Sequence, residues 1–169
     1  MKISDKYTFL CDNDLSIVNK VLKTKKFSGT SEFIGEYEKK LASFFGSKYA
    51  VAISSGTAAI QTALFILGVG SGDEVIVPPT CPSMSVFPII FAGAKPVFCD
   101  TAIDSLGLKI EEIEKNITSK TKAIMEVPMW GYPTDVEKLK DFTKLKNIPL
   151  ILDLAQAHGT KLNAEYLSS

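Results

Sequence analysis

Ile151-Leu152-Asp153-Leu154-Ala155-Gln156-Ala157-His158-Gly159 sets one carboxylate directly after a run of apolar strand residues. An acid at the carboxyl end of a buried strand lies where open α/β sheets meet their ligands. Its counterpart upstream is Ser54-Ser55-Gly56-Thr57-Ala58-Ala59, where a strand candidate from Tyr49 to Ile53 turns through a glycine into a helix of small residues. The first backbone N–H groups of such a helix can hold an anion. A phosphate cradle and a carboxylate, each following a strand, suit a phosphorylated cationic ring. Taken singly, each segment has an ordinary alternative. The first fits a plain strand-to-helix turn, and an Asp that ends a strand often caps the turn after it.

Composition narrows the function classes. The 169 residues are enough for one domain with a real core, and 46% hydrophobic content is that of a globular chain. Nineteen basic and nineteen acidic residues cancel, so no basic surplus favours nucleic acid and no polybasic tail favours an anionic membrane. Cys11, Cys81 and Cys99 are odd in number and lack C-x-x-C spacing, no metal-ligand cluster stands out, and the N-terminus shows no apolar signal segment. The expectation is a cytoplasmic protein without a metal site.

Working outward, helices and strands alternate. Asn13 or Asp14 is placed to cap a helix carrying Leu15, Val18, Val21 and Leu22. Phe33, Ile34, Tyr37, Leu41 and Phe44 recur at helical spacing, and Gly46 stands where a left-handed cap would end that helix. The strand candidates are Ala50–Ile53, Glu74–Val77, Pro96–Cys99, Ala123–Val127 and Leu150–Leu152, each with little polar alternation, as strands covered on both faces require. Between them, Ile60, Ala63, Leu64 and Leu67 form one apolar stripe and Ile110, Ile113 and Ile117 another. Thr134 and Glu137 make a capping-box pattern before Leu139 and Phe142. This alternation predicts an α/β fold, a three-layer αβα arrangement around a mostly parallel sheet. No G-x-G-x-x-G follows a strand, which argues against a Rossmann-type nucleotide domain.

Several phrases in order carry a more specific resemblance: Lys48-Tyr49-Ala50-Val51-Ala52-Ile53-Ser54-Ser55-Gly56-Thr57-Ala58-Ala59-Ile60, Gly72-Asp73-Glu74-Val75-Ile76-Val77-Pro78, Ala92-Gly93-Ala94-Lys95-Pro96-Val97-Phe98, and Asp153 to Gly159. Together they resemble the DegT/DnrJ/StrS-type sugar aminotransferases, pyridoxal-phosphate enzymes of the aspartate aminotransferase fold. The likeness runs from about Phe27 to Ser169. It implies an N-terminal helical arm over residues 1–26 and, over 27–169, the front of a truncated cofactor-binding large domain.

The resemblance also implies roles. Gly56, Thr57 and Ala58 would bind the phosphate of pyridoxal 5′-phosphate. Asp153 would pair with the protonated pyridine nitrogen, and Gln156 would lie near the ring's phenolic oxygen. An opposite charge at that nitrogen keeps it protonated, which agrees with the implied role of Asp153. Where the family stacks an aromatic side chain on the ring this chain has Pro82, which offers apolar contact only. Trp130 or Tyr132 could fill the role, against the alternative that Trp130 is a partly buried packing residue. His158, the only histidine, is expected to pack or to support the phrase around it.

The lysine that the family uses as covalent anchor and proton shuttle is expected beyond Ser169, and Lys161 reads as solvated. The strands that separate the one leading to the cradle from the one ending at Asp153 are expected there too. The implied activity is transfer of an amino group from glutamate or glutamine to a keto sugar, nucleotide-linked, by a full-length homodimer, with this chain alone inactive. A related sugar dehydratase and a non-catalytic remnant or interaction module are the alternatives.

Overall fold

The computed structural model describes residues 10–168 and divides the chain into two compact units, separated between Ala52 and Ile53. The first nine residues of the expected arm, and Ser169, lie outside the described residues.

The first unit holds α1 (Asp12–Thr24) and α2 (Glu32–Phe45). The cap of α1 is Cys11 rather than Asn13 or Asp14. Asp14 still takes part, two positions inside the helix, where its carboxylate accepts the Cys11 N–H at 2.9 Å and is held below the usual carboxylate range by that bond. At the other end of α2, Gly46 adopts φ +68° and its N–H reaches back to the last turn, the left-handed cap that its position predicts. The expected strand Ala50–Ile53 does not form. A strand needs a neighbour to bond to, and among the described residues these four belong to no sheet. The N–H of Ala52 goes instead to the Glu38 carboxylate at 2.8 Å.

The second unit is the sheet and its helices. In order come α3 (Gly56–Ile66), β1 (Glu74–Val77), α4 (Ser83–Phe91), β2 (Lys95–Phe98), α5 (Ile110–Asn116), β3 (Thr121–Glu126), α6 (Val136–Lys146) and β4 (Leu150–Leu152). The four strands pair in the order β2-β1-β3-β4, every pair parallel. Val75, Ile76 and Val77 of β1 and Ala123, Ile124 and Met125 of β3 are fully buried, which is why these central strands read as unbroken apolar runs. On one face Val75, Val77, Ala123 and Met125 pack with Ile60 and Leu64 of α3 and Ile89 of α4. On the other, Ile76 and Ile124 pack with Ile113 of α5 and Leu139 and Phe142 of α6. The result is the expected three-layer αβα arrangement.

Two local expectations change. The helix predicted from Thr134 starts two residues later, with Asp135 as its cap. Thr134 is buried with its side chain against Gly107, and Glu137 is engaged by Asn163 at 3.2 Å instead of reaching back to the cap. The region around Lys161, for which no strand was expected, contains a small antiparallel hairpin, β5 (Lys161–Leu162) and β6 (Glu165–Tyr166). Lys161 is exposed, as expected, with its ammonium over the Tyr166 ring. Among the described residues no helix is long and apolar enough to cross a membrane.

Candidate functional site

Asp153 is the first residue after β4, and its N–H still donates to the Glu126 carbonyl at 3.0 Å, so the backbone is fixed to the carboxyl end of β3. Alternation along β4 decides where the side chain goes. Ile151 packs on the α3/α4 face, and Asp153, two residues on, turns to the same face. There the Ser85 hydroxyl donates to Asp153 Oδ2 at 2.7 Å, while the Ala155 N–H donates to Oδ1 at 3.2 Å. The half-buried carboxylate is therefore gripped from two sides.

Ser85 lies in the first turn of α4 and is 1% exposed. Its N–H bonds the carbonyl of Pro82, the residue that caps α4 with extended backbone. Pro82, expected at the ring face, thus belongs to the turn that presents Ser85. Cys81 is half-buried beside it. Burial pushes its thiol up, and the negative charges of Asp153 and Glu126 push in the same direction.

The cradle lies at the start of α3, on the same face of the sheet as α4. Ser55 caps the helix, its Oγ accepting the Ala58 N–H at 3.1 Å, and the first intrahelical bond runs from Ala59 to the Ser55 carbonyl. The N–H groups of Gly56 and Thr57 precede that bond and have no partner within the helix. Ala58 was expected to offer its N–H outright, but Ser55 already holds it, so an anion there must share or displace that cap. A Cβ built on Gly56 would meet nothing within 4 Å, so the approach to the turn is open.

Gln156 is exposed, and its Oε1 accepts the Trp130 N–H at 3.3 Å. A second tie, from the Thr160 hydroxyl to the Gly131 carbonyl at 3.3 Å, joins the same two loops. Trp130 has φ +54° and is 68% exposed, and Tyr132 is also exposed, so Trp130 is not the partly buried packing residue considered from the sequence. His158 is exposed as well.

Two residues of this region were not anticipated. Ser85 gave no sequence signal, since its bond to Asp153 spans 68 positions. Glu126 did: it is a charged residue inside an apolar run. It ends β3, 1% exposed, with Oε2 accepting the Leu108 N–H at 2.8 Å and Oε1 the Val127 N–H at 3.0 Å. Burial pushes its carboxyl up, against the pull of those two donors.

The start of α3 and the clamped Asp153 carboxylate thus lie on one face of an αβα sheet. Residues 10–168 fit the profile of the DegT/DnrJ/EryC1/StrS aminotransferase family. The chain belongs to this family. The match begins at residue 10, ahead of the Phe27 at which the sequence phrases begin. GDP-perosamine synthase of Escherichia coli O157:H7 is 36% identical over 160 residues, which is 95% of this chain and 44% of that protein. Among solved structures, 3-amino-5-hydroxybenzoic acid synthase superposes with a TM-score of 0.91 at 27% identity, covering 97% of this chain and 43% of that one. GDP-4-keto-6-deoxymannose-3-dehydratase, solved with a trapped PLP-glutamate geminal diamine, gives 0.84 at 30% identity, covering 94% and 42%. The chain therefore spans less than half the length of these relatives.

The family and its ligand-bound structures indicate pyridoxal 5′-phosphate as the cofactor. The donor set suits that group. The start of α3 offers N–H donors and the Thr57 hydroxyl beside open space, as a phosphate needs, and Asp153 offers a fixed carboxylate, as a pyridinium needs.

Proposed function

We propose that this chain is the front part of a pyridoxal-phosphate-dependent aminotransferase that moves an amino group from glutamate or glutamine to a nucleotide-linked keto sugar. The observation that carries the reading is the Asp153 carboxylate, fixed at the carboxyl end of β4 on the α3/α4 face. In this reading residues 1–26 are an arm and 27–169 the front of the cofactor-binding domain. The working protein is a cytoplasmic homodimer, and the lysine that anchors the cofactor is supplied outside this chain, so that the chain alone is inactive.

Gly56, Thr57 and, once Ser55 releases its N–H, Ala58 hold the phosphate. Pro82 lies against the ring and Gln156 near the phenolic oxygen, with its NH2 as donor while its oxygen accepts the Trp130 N–H. Asp153 keeps a proton on the pyridine nitrogen. Bound pyridoxal phosphate supplies an electron sink for the negative charge left when a proton leaves the substrate.

The test is made in the full-length protein. Asp153→Ala is expected to abolish glutamate-dependent amination of a keto-sugar nucleotide, and Asp153→Glu to leave only a little, because a longer acid misplaces the charge. Full activity in Asp153→Ala would sink the reading. Similarity to the 3-dehydratase favours a second outcome, removal of a sugar hydroxyl in place of amination. Product analysis separates the two, an amino sugar against a deoxy keto sugar.

A further inference from the structure

We infer that Ser85 is the positioning residue for Asp153, fixing the orientation of the carboxylate and thereby its hold on a protonated ring nitrogen. This deepens the proposed function and rests on it. A carboxylate on a strand end turns about two side-chain bonds, and one acceptor contact leaves it free to rotate about that contact. Here the Ser85 hydroxyl holds Oδ2 at 2.7 Å and the Ala155 N–H holds Oδ1 at 3.2 Å, so the plane of the group is fixed. Each oxygen keeps a further lone pair for a ligand.

The choice of partner is the informative part. A serine in a helix commonly turns its hydroxyl back to a carbonyl three or four positions earlier. Ser85 instead spends its single donor on a carboxylate 68 positions away. Its own backbone is held by the helix and by the Pro82 carbonyl at 3.0 Å, and the residue is 1% exposed, so the donor cannot drift and water does not compete for it. Because Ser85 is in the first turn of α4, the carboxylate also sits near the positive end of that helix. A bond serving only to dock α4 on β4 would affect stability without telling one ring from another.

Affinity for two aldehyde-free probes, which cannot condense with lysines, tests this by calorimetry on the full-length protein freed of its cofactor. One probe is pyridoxine 5′-phosphate; the other is its 1-deaza analogue, with carbon in place of the ring nitrogen. The wild-type protein is expected to prefer the nitrogen-containing ring. Ser85→Ala is expected to reduce that preference by about tenfold, the scale of one hydrogen bond to a charged group, with affinity for the deaza analogue unchanged. Ser85→Thr, which keeps the hydroxyl, should restore the preference. Ser85→Cys, similar in size with a weaker donor, should show the loss even where the alanine variant folds poorly. A wild-type preference retained in both Ser85→Ala and Ser85→Cys overturns the role of Ser85 and leaves the reading of Asp153 standing. A wild-type protein without preference overturns both.

Discussion

Glu126 is the residue whose chemistry is least ordinary. A carboxylate 1% exposed would be costly without partners, and it has two, the N–H groups of Leu108 and Val127. Burial nevertheless prevails over these donors and raises its protonation range above that of the unfolded chain. The sign follows from linkage. The folded state binds the proton more tightly, so the associated stability is complete below the ordinary glutamate value of about 4.3 and is lost as pH rises toward the raised value. Glu126→Gln removes that loss. Urea midpoints at successive pH values are expected to fall for the wild type relative to the variant as pH rises from acid toward neutrality; parallel profiles would contradict the raised value. Gly107, beside the same carboxylate, is held to glycine by packing. A Cβ there would lie 2.7 Å from Thr134 Cβ and 3.0 Å from its methyl. Gly107→Ala should therefore lower stability by about 1–3 kcal/mol, the usual range for overpacking, in the same urea measurement.

Elements differed in how plainly the sequence announced them. β1 and β4 coincide with their predicted spans because both read as short apolar runs, buried in β1 from Val75 to Val77 and half-buried throughout β4. The end of α2 was equally legible, since only a glycine adopts φ +68° without cost. Gly46→Ala, with nothing near the new methyl to clash, is expected to destabilise the chain by roughly 1 kcal/mol through backbone strain alone, as thermal unfolding would show. Other elements were hidden. The α4 stretch is crowded with breaker residues, and Pro88 sits inside the helix where it removes an N–H. The β5–β6 hairpin turns through Asn163 and Ala164, both at positive φ, without the glycine that normally marks such a turn. The apolar run Ala50–Ile53 was misleading because pattern reports burial potential, whereas a ladder requires a second strand.

At the scale of the molecule, layer order followed from the alternation of elements, but the pairing order β2-β1-β3-β4 did not. Side-chain periodicity says which faces are buried and leaves the neighbour of each strand undetermined. The candidate site was half legible for the same reason. Gly56 to Ala58 and Asp153 stand in recognisable phrases, while Ser85 becomes relevant only after folding brings α4 to β4. The surface carries a further expectation. Phe65 and Ile66 at the end of α3 are 81% and 75% exposed, and on α4 the stacked Phe87 and Phe91 are also exposed. Apolar surface of this kind favours association. The full-length protein is expected to sediment as a homodimer, and a monomer at every concentration would refute this.

The reach of the Ser85–Asp153 bond bears on the order of assembly. A chain growing from its N-terminus completes the α3 turn and α4 long before β4 has been synthesised, and long separations make closure slow as well as entropically costly. The carboxylate is therefore locked only after α3 and α4 have been made. Nascent chains stalled before Asp153 would display the anion cradle without the charge that distinguishes one ring from another, so selective capture of the ring would mark the moment at which the fourth strand has joined the sheet.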